Sequence, residues 1–166
     1  RIWCQFRRAV SFSVYRSPYS LGDKIMRKNL TIEDLGDLLE RPILAILATH
    51  RKDGRILMSP VWHEWTNGEF LLMTWANDIK SRNLKNDPRA TVLVAENEPP
   101  YRGFEVSGEA TVEAMDDHMP MIYRLATRYV GEKDGSAYAE AARDVELQLI
   151  RLAPGVIRAW DFDDEL

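Results

Sequence analysis

The sequence has a single cysteine, Cys4, and only three histidines, His50, His63 and His118, among 166 residues. One thiol excludes an internal disulfide, and ligand-type residues scattered this way offer no metal-binding spacing. A reducing, cytoplasmic setting without a structural metal is therefore expected. Long hydrophobic runs are also missing. The longest, Ile43-Leu44-Ala45-Ile46-Leu47-Ala48, falls far short of the ~20 apolar residues that cross a bilayer, so no membrane partner is expected. No Gly-x-Gly-x-x-Gly, Gly-x-Ser-x-Gly or Walker-type loop is present, and Ser59 lacks the elbow context of a nucleophile. Clustered cations are absent from most of the chain: residues 1–25 carry five against Asp23 alone, which leaves −8 on residues 26–166. An acidic body cannot neutralise a phosphate backbone, which argues against nucleic acid as a partner.

What is present is an ordinary globular composition, 45% hydrophobic and 29% charged, at the length of one domain. Residues 1–25 are rich in Arg and Ser and contain no methionine. They read as a basic extension: translated sequence upstream of a start at Met26, a basic tail, or a transit-type peptide. The domain is expected over residues 26–166. Thr31 to Glu40 reads as a capped amphipathic helix, with Ile32, Leu35, Leu38 and Leu39 at helical spacing and Pro42 ending it.

Strands follow. Ile43 to His50 leads through Asp53-Gly54 into Arg55–Trp65, and Asn67-Gly68 turns into a third strand, Glu69–Trp75. Pro60 cannot donate to a ladder, so that strand sits at an edge, carries a bulge, or turns its backbone toward a ligand. Asn77 or Asp78 caps a short helix through Leu84, closed by Asp87-Pro88. Arg89–Ala95 and Tyr101–Glu113 return to strand, the latter with Gly108 as a candidate bulge. Helices are expected over 117–130 and 136–144, and a last strand or strand pair over 146–161 with Pro154-Gly155 between. The fold class is mainly β with α insertions: a six- to seven-stranded antiparallel barrel whose interior its own side chains fill. Any ligand must then lie outside, in a groove that a partner can cover.

This order of residues resembles the pyridoxamine 5'-phosphate oxidase-like, FMN-binding split-barrel superfamily, and within it the branch of deazaflavin (F-420)-dependent oxidoreductases. The matching pieces are Asp53-Gly54-Arg55, then Met58-Ser59-Pro60-Val61-Trp62, Thr74, Lys80-x-Arg82-Asn83-Leu84 with Asp87-Pro88-Arg89, and Gly108. The resemblance implies a homodimeric split β-barrel holding FMN or coenzyme F-420 between its two copies. It implies that backbone from Met58 through Trp62 faces the edge of a tricyclic ring, with Thr74 at the ring or phosphate and Trp62 and Trp75 flanking it. Lys80 and Arg82, at the start of a helix, would meet the phosphate where free N–H groups and the helix dipole converge. Asn83 stands between this site and a local helix-side hydrogen bond.

In such a family the cofactor carries the chemistry, so no catalytic side chain is expected to show in the sequence. The implied activity is hydride transfer between the ring and a small unsaturated substrate. Arg158-Ala159-Trp160 stands in place of the family's Arg-x-His motif, so the resemblance implies the scaffold rather than pyridoxamine phosphate as substrate. The alternative is a non-catalytic dimer that stores or senses flavin or binds haem.

Overall fold

The computed structural model describes residues 27–28 and 30–162. Its elements, in chain order, are β1 (Arg27–Lys28), β2 (Ala45–His50), β3 (Ile56–Val61), β4 (His63–Thr66), β5 (Glu69–Trp75), α1 (Ile79–Asn86), β6 (Arg89–Ala95), β7 (Gly103–Ala114), α2 (Met119–Val130), α3 (Glu132–Ala141), β8 (Leu147–Leu152) and β9 (Val156–Asp161). The basic extension of residues 1–25 lies outside the described residues. Among the described residues, no helix is long and apolar enough to cross a membrane.

The strands form one antiparallel system in the order β3-β2-β6-β7-β8-β5-β4, with β9 paired to β7 and β1. Its two ends, β3 and β4, are consecutive in the chain with only Trp62 between them. Residues 56–66 thus pass from β2 as partner to β5 as partner, and the ring of ladders closes through this corner. The same device recurs on β7, where β9 pairs with Gly103–Ser107 and β8 with Ala110–Ala114. More strands are observed than the six or seven expected because residues 55–65 break in two at a corner, residues 146–161 form the pair β8 and β9, and the two-residue β1 adds an edge. The fold is a split barrel.

Alternation fills the interior. Phe70, Leu72, Val92, Val94, Phe104, Val106, Ile150 and Leu152 are fully buried at every second position of their strands. Trp65 stands edge-on to Phe70 and Phe104 at centroid distances of 4.9 and 5.3 Å, a favoured aromatic arrangement. Burying each such side chain contributes about 1.5–3 kcal/mol, so this core outweighs any single polar contact.

Three local expectations change. Thr31–Glu40 is not an α-helix: one 3-10 turn, Glu33–Leu35, ends at Gly36 with φ +57°. A diverted carbonyl explains this, beside a cap that a helix could equally have used. The Asp34 carboxylate accepts from the Thr31 backbone N–H and hydroxyl, at 2.7 and 3.0 Å. The Leu35 carbonyl, which a helix would keep for its own ladder, accepts from Arg102 Nη1 at 2.7 Å. The segment nevertheless buries Leu35, Leu38 and Leu39, so its apolar spacing was a packing signal rather than a helical one. Gly108 is not itself bulged, since its ladder with β6 runs unbroken. The bulge faces it: between Leu152↔Ala110 and Val156↔Ser107, residues 153–155 oppose residues 108–109. A Cβ on residue 108 would sit 2.3 Å from the Ala153 carbonyl oxygen, which only glycine avoids. Finally, the third helix starts at Glu132, directly after Gly131, and ends at Ala141, earlier at both ends than expected.

Candidate functional site

The β4–β5 ladder begins at His63↔Leu72. Beyond that rung the chains diverge: Pro60 and Val61 pair with β2, whereas Met73, Thr74 and Trp75 pair with β8. A cleft of about 420 Å³ opens in this fork. Pro60, Val61 and Trp62 form one wall, and Met73, Thr74 and Trp75 the other. Asp78 and Lys80, at the start of α1, close one end, and Ile122, Leu125 and Tyr138 cover it from α2 and α3.

Six of the ten residues expected at a cofactor therefore line one cavity: Pro60, Val61, Trp62, Thr74, Trp75 and Lys80. Four do not. Met58 is 64% exposed on the outer face of β3, and Ser59, its neighbour, pairs with Leu47. Arg82 is exposed on α1. Asn83 is buried and donates to Thr49 Oγ1 at 3.1 Å, so it fastens α1 to β2, a long-range bond rather than the local helix-side bond that was its alternative.

Lys80 is not a free cation. Asp78 caps α1, accepting from the Lys80 backbone N–H at 3.1 Å with one oxygen and from Lys80 Nζ at 2.5 Å with the other. Burial pushes the Asp78 carboxyl up, but these bonds to Lys80 outweigh it and hold the group below its ordinary value. Next to the pair, Thr74 is buried with no hydrogen-bond partner for its hydroxyl. A buried hydroxyl without a partner costs about 1–3 kcal/mol, so Thr74, a residue of the cavity wall, carries an unmet polar group.

The opposite side of the cleft is braced by a cluster the sequence did not reveal. Trp62 stacks on Tyr129 at 5.2 Å with planes 11° apart, and Tyr138 tilts against it at 4.9 Å. The Tyr129 hydroxyl donates to the Ile43 carbonyl at 2.9 Å and accepts from the His63 backbone N–H and from Arg128 Nη2. Arg128 also bonds the His63 carbonyl. His63 is buried, with Nδ1 2.9 Å from the Tyr129 hydroxyl. Burial first, and the Arg128 charge second, push its pKa to about 3 despite the nearby Leu39 backbone, so the ring is neutral. Tyr129 lies within the helix expected over 117–130, and only its position against His63 in three dimensions shows what it does.

The order of strands, the broken edge and the helix that closes the fork have a counterpart in sequence, for a family model described as Pyridoxamine 5'-phosphate oxidase matches residues 32–161. The chain belongs to the pyridoxamine 5'-phosphate oxidase family. Among solved structures, this family member is similar to a conserved hypothetical protein of Mycobacterium tuberculosis, at 22% identity over 81% of this chain and 87% of the other, with a TM-score of 0.66. It is similar to an F420 reductase at 27% identity over 73% and 93% of the two chains, TM-score 0.58. A haem-storage protein of Vibrio cholerae shares the fold at 14% identity over 78% and 94%, TM-score 0.61. No curated protein matches the chain. Family membership does not bring the substrate motif with it: Arg158 pairs with Glu105 at 3.3 Å on the exposed face of β9 and lies over Trp160.

Proposed function

We propose that this protein is a flavin- or deazaflavin-dependent oxidoreductase, acting in the cytoplasm as a homodimer on a small unsaturated substrate. The observation that carries the proposal is the fork itself: two strand edges that part at His63↔Leu72 around a cavity whose wall includes Thr74, with a buried hydroxyl unpartnered among the described residues, and whose end is Lys80. This donor set fits FMN or coenzyme F-420, which need a flat slot, one hydroxyl and a cation at the far end. Such a ring, when bound, supplies hydride transfer. The chain supplies placement. Pro60 to Trp62 bound the slot on one side and Trp75 on the other, Thr74 offers a donor and acceptor, and Lys80 meets the anionic arm. Ile122, Leu125 and Tyr138 keep water from the covered side. The family match and the F420 reductase support this reading.

The dimer is supported by the outer face of β3, β2 and β6. There Met58, Ala48 and Thr91 lie in one row and Pro60, Ile46 and Leu93 in the next, with Ile56 and Met58 more than half exposed. A contiguous apolar face next to the cleft is the kind of surface a second copy covers.

A non-catalytic haem-binding module is the second reading, favoured by the fold shared with a haem-storage protein. None of the three histidines lines the cleft, and His63 is already engaged by Tyr129. The test is the spectrum and mass of the purified protein. A flavin band, or quenching of added F-420 fluorescence by a colourless dimer, supports the oxidoreductase. A Soret band supports the module, and a monomer that retains none of these ligands overturns both.

A further inference from the structure

We propose that Asp78 tunes the charge of ligand the cleft accepts, by holding Lys80 as half of an internal ion pair and so cutting back the preference for a doubly charged phosphate that an unpaired lysine would give. The inference rests on reading the cleft as a flavin-type site and adds a residue and a selectivity to it. Lys80 is the cation lining the cavity. Its ammonium is 2.5 Å from Asp78 Oδ2, with only 15% and 20% of the two side chains exposed. The other cations of α1 are committed elsewhere or turned outward: Lys85 reaches Gln148 at 3.3 Å, and Arg82 is exposed. The polar end of the cleft is therefore close to neutral before any ligand arrives.

An anion that approaches Lys80 meets the Asp78 carboxylate at nearly the same distance. One N–H of the ammonium is already used, and the repulsion from Asp78 grows in proportion to the charge of the ligand. A phosphate monoester, a dianion above pH ~6, feels it twice as strongly as a phosphodiester monoanion, and a neutral sugar alcohol does not feel it at all. The attraction of Lys80 scales with ligand charge in the same way, so Asp78 offsets most of what a second negative charge would gain, and the cleft favours a dianionic arm much less than an unpaired lysine would. The unpartnered Thr74 hydroxyl is consistent with an arm of lower charge, because a hydroxyl satisfies a neutral or singly charged oxygen as well as a dianion.

Asp78→Asn separates charge from structure, since Asn caps a helix as well as Asp and can still accept from the Lys80 backbone N–H. Dissociation constants at pH 8 for FMN, coenzyme F-420 and riboflavin, on wild type and variant, test the inference. Because the repulsive energy doubles with charge, the gain for the dianion is the square of the gain for the monoanion. Expected on substitution is about tenfold tighter FMN, about threefold tighter F-420, and riboflavin within twofold. FMN within twofold of wild type, or a riboflavin gain equal to that of FMN, overturns the role of Asp78 while leaving the flavin site standing. If none of the three binds either protein, the site reading falls and this inference with it.

Discussion

Two partly buried ion pairs at different places on the barrel use the same chemistry to opposite ends. Arg102 gives Glu96 a two-pronged contact at 3.0 and 2.7 Å, donates to the Leu35 carbonyl at 2.7 Å and reaches Asp37 at 3.3 Å. Glu96 also takes Arg41. The planar fork of Arg is used nearly to capacity, and its partners tie residues 35–41 to the connection between β6 and β7. Lys80 and Asp78 hold only each other, beside a cavity and an unpartnered hydroxyl. A saturated pair is scaffold; an unsaturated pair next to empty volume is a site.

Arg102→Ala should separate the two most sharply. It leaves Glu96, whose side chain is 7% exposed and whose carboxyl the Arg102 hydrogen bonds hold below its ordinary value, with Arg41 as its remaining partner. Removing one partner of a largely buried pair typically costs about 3 kcal/mol. Urea unfolding should show that loss, while ligand affinity at the cleft stays within twofold. A loss below about 1 kcal/mol would place Arg102 among ordinary surface ions.

A third charged group shows what happens without a carboxylate. Arg128 meets carbonyls and Tyr129, and its charge adds to burial in driving His63 from an ordinary 6.5 to about 3. The folded state keeps the imidazole neutral and the unfolded state does not, so stability is fully present above pH 6.5 and is lost as pH falls toward 3. At up to ~1.4 kcal/mol per pH unit, wild type should lose about 2 kcal/mol between pH 6.5 and 4.5, where few carboxylates titrate. His63→Phe should flatten that slope whatever it does to stability at neutral pH. An unchanged slope would assign the acid sensitivity elsewhere.

Next in size is Lys80→Ala, expected to weaken a phosphate-bearing ligand about tenfold, in line with ~1.5 kcal/mol for a charge-assisted bond, with some loss of stability as Asp78 is left without its ion-pair partner. Arg82→Ala, on the exposed side of the same helix, should change affinity less than twofold. Equal losses from both would mean that the helix field rather than Lys80 holds the anion.

These expectations also measure how far the sequence could be read. Turn chemistry was legible: Gly54, Asn67 and Gly68 adopt the positive φ that their hairpins demanded. Pro60 announced a free edge, and the cap at Asp78 announced α1. Patterns of apolar spacing were less specific. The same leucines that suggested a helix over 31–40 are buried by a looped segment, because Arg102 took a carbonyl that a helix needs. For the site, residue type led to Lys80 and Thr74 but hid their partners. Asp78 looked like a cap and is a counter-ion as well, Asn83 turned inward to Thr49, and the Tyr129–His63–Arg128 brace joins elements more than 60 residues apart. Local chemistry can be read along a chain, whereas the pairing of distant polar groups is decided only when the core has folded.

Thr49 and Thr74 make the smallest and most discriminating comparison. Both are buried threonines facing the α1 end of the barrel; one hydroxyl is bonded by Asn83 and the other by nothing among the described residues. Thr49→Val removes a made bond and strands the Asn83 amide, so it should destabilise by about 1 kcal/mol. Thr74→Val removes only an unsatisfied group at equal volume, so the protein should be unchanged or up to about 1 kcal/mol more stable. The same variant should bind its ligand several-fold more weakly, measured by fluorescence titration alongside thermal unfolding. A hydroxyl that destabilises the empty protein and strengthens the complex is there for the ligand. If Thr74→Val loses stability like Thr49→Val and keeps its affinity, Thr74 is part of the wall and the polar contact must come from the strand edges themselves.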